Sequence, residues 1–262
     1  MQSTDYIEKG EGEIVLLLHS TAAGNKQWKK LIEELSPSFK LIAPNLFGYG
    51  TTPEWKSDQQ QKLSDHVDLL NRFFKMTDKL SVIGHSFGGS VAMMAARRFP
   101  KKIKRLILIE PNPFYLLASH SLHNAYQEAK LLRDIIKVNG AAGQWESAAA
   151  YFADYWNGSG AWDSLDPQRR DKFIRAIKPN FHEWDCVMNE TVSIAEWKSN
   201  LPENTEFLFS DQTVKSISAL AYLFQNHIPE WSYRVYTGAG HMAPLTHPQI
   251  INPILEKILN GA

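Results

Sequence analysis

A single cysteine, Cys186, stands in a chain of 262 residues. That excludes an intramolecular disulfide and fits a reducing compartment. Long apolar runs are missing too, and none approaches the roughly 20 residues that a bilayer-spanning helix needs. Charge of one sign is not in excess: Lys plus Arg and Asp plus Glu stand at 28 each and form no block. An electrostatic footprint for nucleic acid or a membrane surface is therefore not expected. The stretch from Met1 to Gly12 is polar and acidic, without the basic-then-apolar order of a signal peptide. There is no internal repeat, low-complexity tract, phosphate-binding loop or metal-ligand cluster, so no cofactor and no metal are expected. These absences point to a cytoplasmic protein whose partner is a small, largely uncharged molecule. They fix no oligomeric state.

What is present is an alternation. Ile14-Val15-Leu16-Leu17-Leu18 is a continuous apolar run of the kind that suits a central strand buried on both faces of a parallel sheet. Trp28, Leu31, Ile32 and Leu35 then fall at i, i+3, i+4 and i+7, the spacing of an amphipathic helix. Lys40 to Ala43 reads as a strand, Leu63 to Phe74 as a helix, Leu80 to Ile83 as a strand and Arg105 to Ile109 as another. Strands alternating with helices mean a mostly parallel central sheet flanked by helices, an α/β fold.

From about residue 113 to 200 the alternation breaks down into helical patterns rich in aromatic residues, among them Trp145, Trp156, Trp162, Trp184 and Trp197. It resumes at Glu206 to Phe209, with a helix carrying Ile217, Leu220, Ala221 and Phe224, the strand Trp231 to Tyr236, and a last helix from Pro248 to Leu259 bent at Pro253. We therefore expect a core made of residues 1–112 and 201–262, with residues 113–200 inserted as a helical cap, or lid.

Everything is arranged about Gly84-His85-Ser86-Phe87-Gly88. A short apolar strand stops at Gly84 and good helix formers begin just past Ser86, so the serine occupies a sharp strand-to-helix corner. Such a corner strains the backbone and crowds its neighbours, which requires small residues two before and two after. This is the G-x-S-x-G nucleophile elbow. A serine hydroxyl is almost never ionised at neutral pH and needs a base within hydrogen-bond reach. His241, in the glycine-rich loop Gly238-Ala239-Gly240 after the last strand, is the candidate. His85 fills the free position of the elbow, His19 follows the first strand, and His247 precedes a proline. His120 and His123 are three apart but lack further ligands nearby, which argues against a metal.

Taken together, His19-Ser20 after the early strand, Phe47-Gly48-Tyr49-Gly50, the elbow, and Gly240-His241 resemble the α/β-hydrolase family over nearly the whole chain. The resemblance implies an eight-stranded, mostly parallel sheet and a triad in the order nucleophile, acid, histidine. Here the first family strand is expected to be missing or reduced to Tyr6-Ile7-Glu8. The resemblance also implies an oxyanion hole formed by the backbone N–H of Phe87 and a donor in the loop after the early strand, at Thr21. Ser20 stands where the family usually has glycine. The acid is where this chain departs from the pattern: the usual aspartate position holds Thr213, with Asp211 two residues earlier. Some family members instead place the acid after the strand that follows the nucleophile helix, which here is Glu110. Both Glu110 and Asp211 are candidates. The activity implied is hydrolysis of an ester or similar acyl bond of a small, mostly apolar substrate. Alternatives are carbon–carbon bond hydrolysis by the same triad, or slow or absent turnover in a ligand-binding protein of the same fold.

Overall fold

The computed structural model describes residues 3–56 and 58–261. In chain order it forms β1 (Tyr6–Lys9), β2 (Ile14–Leu18), α1 (Lys29–Leu35), β3 (Lys40–Pro44), α2 (Leu63–Phe74), β4 (Leu80–His85), α3 (Phe87–Arg98) and β5 (Ile103–Ile109). Six helices follow without a strand: α4 (Tyr115–Ser119), α5 (His123–Ala141), α6 (Trp145–Asn157), α7 (Pro167–Ala176), α8 (Asn180–Met188) and α9 (Ile194–Asn200). The chain then closes with β6 (Thr205–Ser210), α10 (Lys215–His227), β7 (Ser232–Tyr236), α11 (Ala243–Thr246) and α12 (Pro248–Leu259).

Among the described residues the sheet has seven strands in the order β1-β3-β2-β4-β5-β6-β7. All neighbours run parallel except β1, which lies antiparallel on β3 at one edge. Seven strands stand where the family resemblance implies eight, in keeping with a first family strand that is missing or reduced. Tyr6–Lys9 takes the edge position, and Ser3 to Asp5 before it form no strand.

The all-apolar sequence of β2 follows from its central place. Successive side chains point to opposite faces, so Leu16 and Leu18 join the core beneath α2 and α3, while Val15 and Leu17 join the core beneath α1 and α12. Both faces are covered, and a polar residue at any of these positions would be buried without a partner.

This order has a consequence for position. The chain leaves β2 toward β3 on one side, then returns across it to β4 on the other. The crevice outside the carboxyl ends of β2 and β4 is therefore a topological switch point, the place where parallel α/β sheets bind their ligands. His19 to Thr21 leave β2 there, and Ser86 leaves β4 there.

The helices between β5 and β6 carry their own termination signals. Asp166 caps α7 through Arg169 N–H with Pro167 in the first turn, and Ser193 and Glu196 cap α9 reciprocally. The Tyr115 hydroxyl donates to the Val192 carbonyl at 2.6 Å and accepts from the Trp197 indole at 2.7 Å, tying the first of these helices to the last. Among the described residues no helix is long and apolar enough to cross a membrane.

Candidate active site

Ser86 sits between β4 and α3 with φ 53° and ψ −118°, a conformation that costs a non-glycine residue energy and persists only where its surroundings impose it. The glycines on either side have no room for more. A Cβ on Gly84 would lie 2.4 Å from the Gly88 carbonyl oxygen, and one on Gly88 would lie 2.4 Å from the Leu18 carbonyl oxygen. Alanine inside a helix normally stabilises relative to glycine by about 1 kcal/mol. At Gly88 the sign is expected to reverse, because the methyl group would push α3 off the end of β2. Gly88→Ala should cost about 2–3 kcal/mol, lowering the midpoint of thermal unfolding by roughly 5–10 °C. An equally or more stable variant in a melting experiment would mean that α3 has slack at its first turn.

His241 comes from the loop after β7. Its Nε2 lies 2.9 Å from Ser86 Oγ, and its Nδ1 is hydrogen-bonded to Glu110 Oε2. Glu110 is fully buried just past β5, with φ 45°. Its Oε1 accepts the Ser210 N–H at 2.6 Å and its Oε2 the Thr213 hydroxyl at 2.9 Å. A carboxylate can only accept, so the proton between Glu110 and His241 belongs on Nδ1. That leaves the Nε2 lone pair facing the serine hydroxyl.

Of the two candidate acids, then, Glu110 meets the histidine and Asp211 does not. Asp211 is exposed and turns only its backbone N–H inward, to the Tyr236 carbonyl at 3.2 Å. Thr213, at the position where an aspartate was to be expected, instead donates its hydroxyl to Glu110. The roles of Thr213 and of the Ser210 N–H escape sequence reading, since a threonine or a strand-end amide has no distinctive pattern. A threonine standing in the acid's place was the one signal.

The other histidines that the sequence singles out have structural places. Burial pushes the His19 imidazole down to about 4. Neutral, it donates from Nδ1 to the Ser20 carbonyl at 2.8 Å and accepts the Leu46 N–H on Nε2 at 3.0 Å. His85 is held well below its ordinary value by burial and by the neighbouring His241, and its Nε2 donates to the His241 carbonyl at 2.9 Å. The free position of the elbow thus pins the histidine loop. His247 is the residue before α12. His120 rests against His227, and no group of three or more potential metal ligands occurs among the described residues.

Ser86, Phe87, Ser20 and Thr21 line one cavity together with His241. Neither the Phe87 nor the Thr21 backbone N–H has an acceptor among the described residues, as donors awaiting a ligand oxygen would require. Ser20 directs its hydroxyl away, to Gln27 Oε1 at 2.7 Å. Helices α6 and α8 supply Phe152, Trp156, Trp184 and Val187 as an apolar roof. Trp156 stacks on His241 with ring centroids 3.9 Å apart and planes at 23°, an arrangement that favours the imidazole when it becomes positively charged. The enclosed volume is about 10 Å³, room for about one water.

Several known hydrolases are similar to parts or the whole of this chain. A 118-residue stretch is 31% identical to a soluble epoxide hydrolase of Corynebacterium sp. strain C12, covering 44% of this chain and 41% of that protein. A stretch of 111 residues is 29% identical to a 2-hydroxy-6-oxo-2,4-heptadienoate hydrolase of Pseudomonas putida strain F1, covering 40% of each. Such curated relatives are matched over less than half of their own length. A solved carboxylesterase of the thaumarchaeon Nitrososphaera gargenis superposes with a TM-score of 0.74 at 20% identity, over 98% of this chain and 94% of that one, which establishes a common fold. The family model described as alpha/beta hydrolase fold matches residues 13–248, and the chain belongs to the α/β-hydrolase family.

Proposed function

We propose that this hydrolase is a serine esterase, cleaving an ester or similar acyl bond of a small, mostly apolar substrate. One observation carries the reading: Ser86, His241 and Glu110 form a continuous, buried run of hydrogen bonds that ends at a strained elbow. Ser86 attacks the carbonyl carbon as His241 Nε2 takes its proton, while Glu110 orients the imidazole and balances its charge. The N–H groups of Phe87 and Thr21 receive the negative charge that develops on the carbonyl oxygen. His241 then returns its proton to the leaving alcohol, and a water activated by the same nitrogen releases the acyl group. No step calls for a cofactor.

The helices from 113 to 200 act as the cap, their aromatic roof excluding water from the acyl-enzyme. A cytoplasmic setting fits the lone buried Cys186, whose thiol burial pushes well up. Epoxide hydrolases and dehalogenases resemble the chain but use an aspartate at the elbow, so Ser86 argues against both chemistries. The likeness to the heptadienoate hydrolase favours, as a second reading, cleavage of a carbon–carbon bond next to a ketone by the same three residues.

Labelling with a fluorophosphonate probe, read by intact mass, tests the proposal. One adduct is expected on the wild type and none on Ser86→Ala. A wild type that stays unlabelled, or a Ser86→Ala that labels equally well, would leave the ligand-binding reading in its place.

A further inference from the structure

The cavity over Ser86 contains a carboxyl group for which the mechanism above has no use. Glu183, on α8, is 1% exposed and lines the same cavity. It reaches from the cap helices to the loop after β2, where the Thr21 hydroxyl donates to its Oε2 at 2.5 Å. The Tyr49 hydroxyl accepts the Ala22 N–H at 3.0 Å and donates to Glu183 Oε1 at 2.9 Å. Asn180 accepts the Trp184 indole N–H on its Oδ1 at 2.8 Å, which fixes the amide so that its Nδ2 faces Glu183 Oε2 at 3.2 Å.

All three neighbours thus donate, and the group they serve is a carboxylate. A protonated acid could donate only by making the Thr21 or Tyr49 hydroxyl its acceptor, and that hydroxyl would then lose the acceptor for its own hydrogen. No cation balances it among the described residues; burial alone pushes the carboxyl up to about 7, against the pull of the three donors. An uncompensated carboxylate inside a substrate cavity is what a hydrogen-bond donor on the substrate would complete.

Its place says which part of the substrate. The leaving group must sit by His241, which protonates it, under Trp156. Glu183 instead bonds the side chain of Thr21, whose N–H is the proposed oxyanion donor, so a group reaching it lies near the carbonyl on the acyl side, away from His241. We propose that Glu183 is a specificity-determining residue that accepts a hydrogen bond from a hydroxyl or ammonium group on the acyl chain close to the scissile carbonyl. This rests on the serine-hydrolase reading. The preferred substrates are accordingly esters of hydroxy or amino acids rather than of plain alkanoic acids.

The test compares kcat/KM for p-nitrophenyl butyrate and its 3-hydroxy and 3-amino analogues, each normalised to its rate with hydroxide. The wild type should favour at least one substituted ester by about tenfold or more; the hydroxy ester leading marks a hydroxyl as the natural donor, the amino ester a cation. The preference should fall to within about threefold of unity in Glu183→Gln and in Glu183→Met, the second of which removes the cost of burying a charge. It should survive in Asp185→Asn, since Asp185, on the same helix as Glu183, pairs instead with Lys137 of α5 at 2.8 Å. The wild-type comparison needs no variant to fold: labelling and turnover of all three esters without preference overturns this proposal alone, as does a preference that persists without the carboxylate. A wild type that neither labels with fluorophosphonate nor turns over any ester overturns the serine-hydrolase reading and this proposal with it.

Discussion

The double variant Ser86→Ala/His241→Ala is expected to be no slower than either single variant. Each single change should lower kcat on an activated ester by about 10⁴- to 10⁶-fold, because serine without a base is a poor nucleophile and a base without serine has nothing to activate. The 2.9 Å contact between Nε2 and Oγ makes them one functional unit, and removing half of a unit removes all of it. What survives in all three variants is the catalysis that oxyanion donors and substrate binding supply on their own, of order 10³- to 10⁴-fold over water. If the losses multiplied instead, Ser86 and His241 would act in separate steps. Pre-steady-state measurement of nitrophenol release decides between the two, since an acyl-enzyme burst is expected of the wild type alone.

The serine and the histidine were legible in the sequence because each is announced by backbone chemistry. Strand, turn and helix must meet at Ser86 with glycine two residues to either side, and the contacts at Gly84 and Gly88 show why: carbonyl oxygens stand where their Cβ atoms would be. The parallel sheet was legible for a similar reason. A strand covered on both faces leaves no polar position, so β2 reads as five apolar residues in a row. Edge strands carry no such mark. β1 is only partly buried, with a pattern that a loop could equally show, and its antiparallel pairing depends on β3, which lies some thirty residues further along the chain.

Glu183 was not legible at all. On α8 it is one acid in a helix that also carries Asp185, and nothing local separates the fully buried carboxylate from the partly buried one two residues on. What distinguishes it are Thr21 and Tyr49, which lie 162 and 134 residues away in the chain. The triad acid fell between these extremes. Sequence narrowed it to Glu110 or Asp211, both of them just past a parallel strand and both before His241, and only the direction in which each side chain points separates them.

That separation makes a sharp pair of variants. Glu110→Gln is expected to lower kcat/KM by about 10³- to 10⁴-fold with the fold retained, and Asp211→Asn to change it by less than about threefold. The amide is nearly the same shape as the carboxylate, but it can satisfy only part of what Glu110 does. Ser210 N–H, the Thr213 hydroxyl and His241 Nδ1–H all donate to this one side chain. In Glu110→Gln one of the two terminal atoms becomes a donor. If it is the atom that faces His241, the imidazole turns to the tautomer with its proton on Nε2, and the base no longer has a lone pair for Ser86. If the amide flips, the Ser210 N–H, a buried backbone donor, loses its acceptor, which costs about 1–3 kcal/mol in stability. In both orientations the negative charge that balances the imidazolium is gone. Asp211 has none of these duties: its side chain is in water, where an amide is as well solvated as a carboxylate. The kinetics should therefore be opposite to those expected of the commoner placement of the acid, which in this chain would lie just past β6. A loss at Asp211 comparable to that at Glu110 would require the loop from 210 to 214 to rearrange during turnover and hand the histidine from one carboxylate to the other.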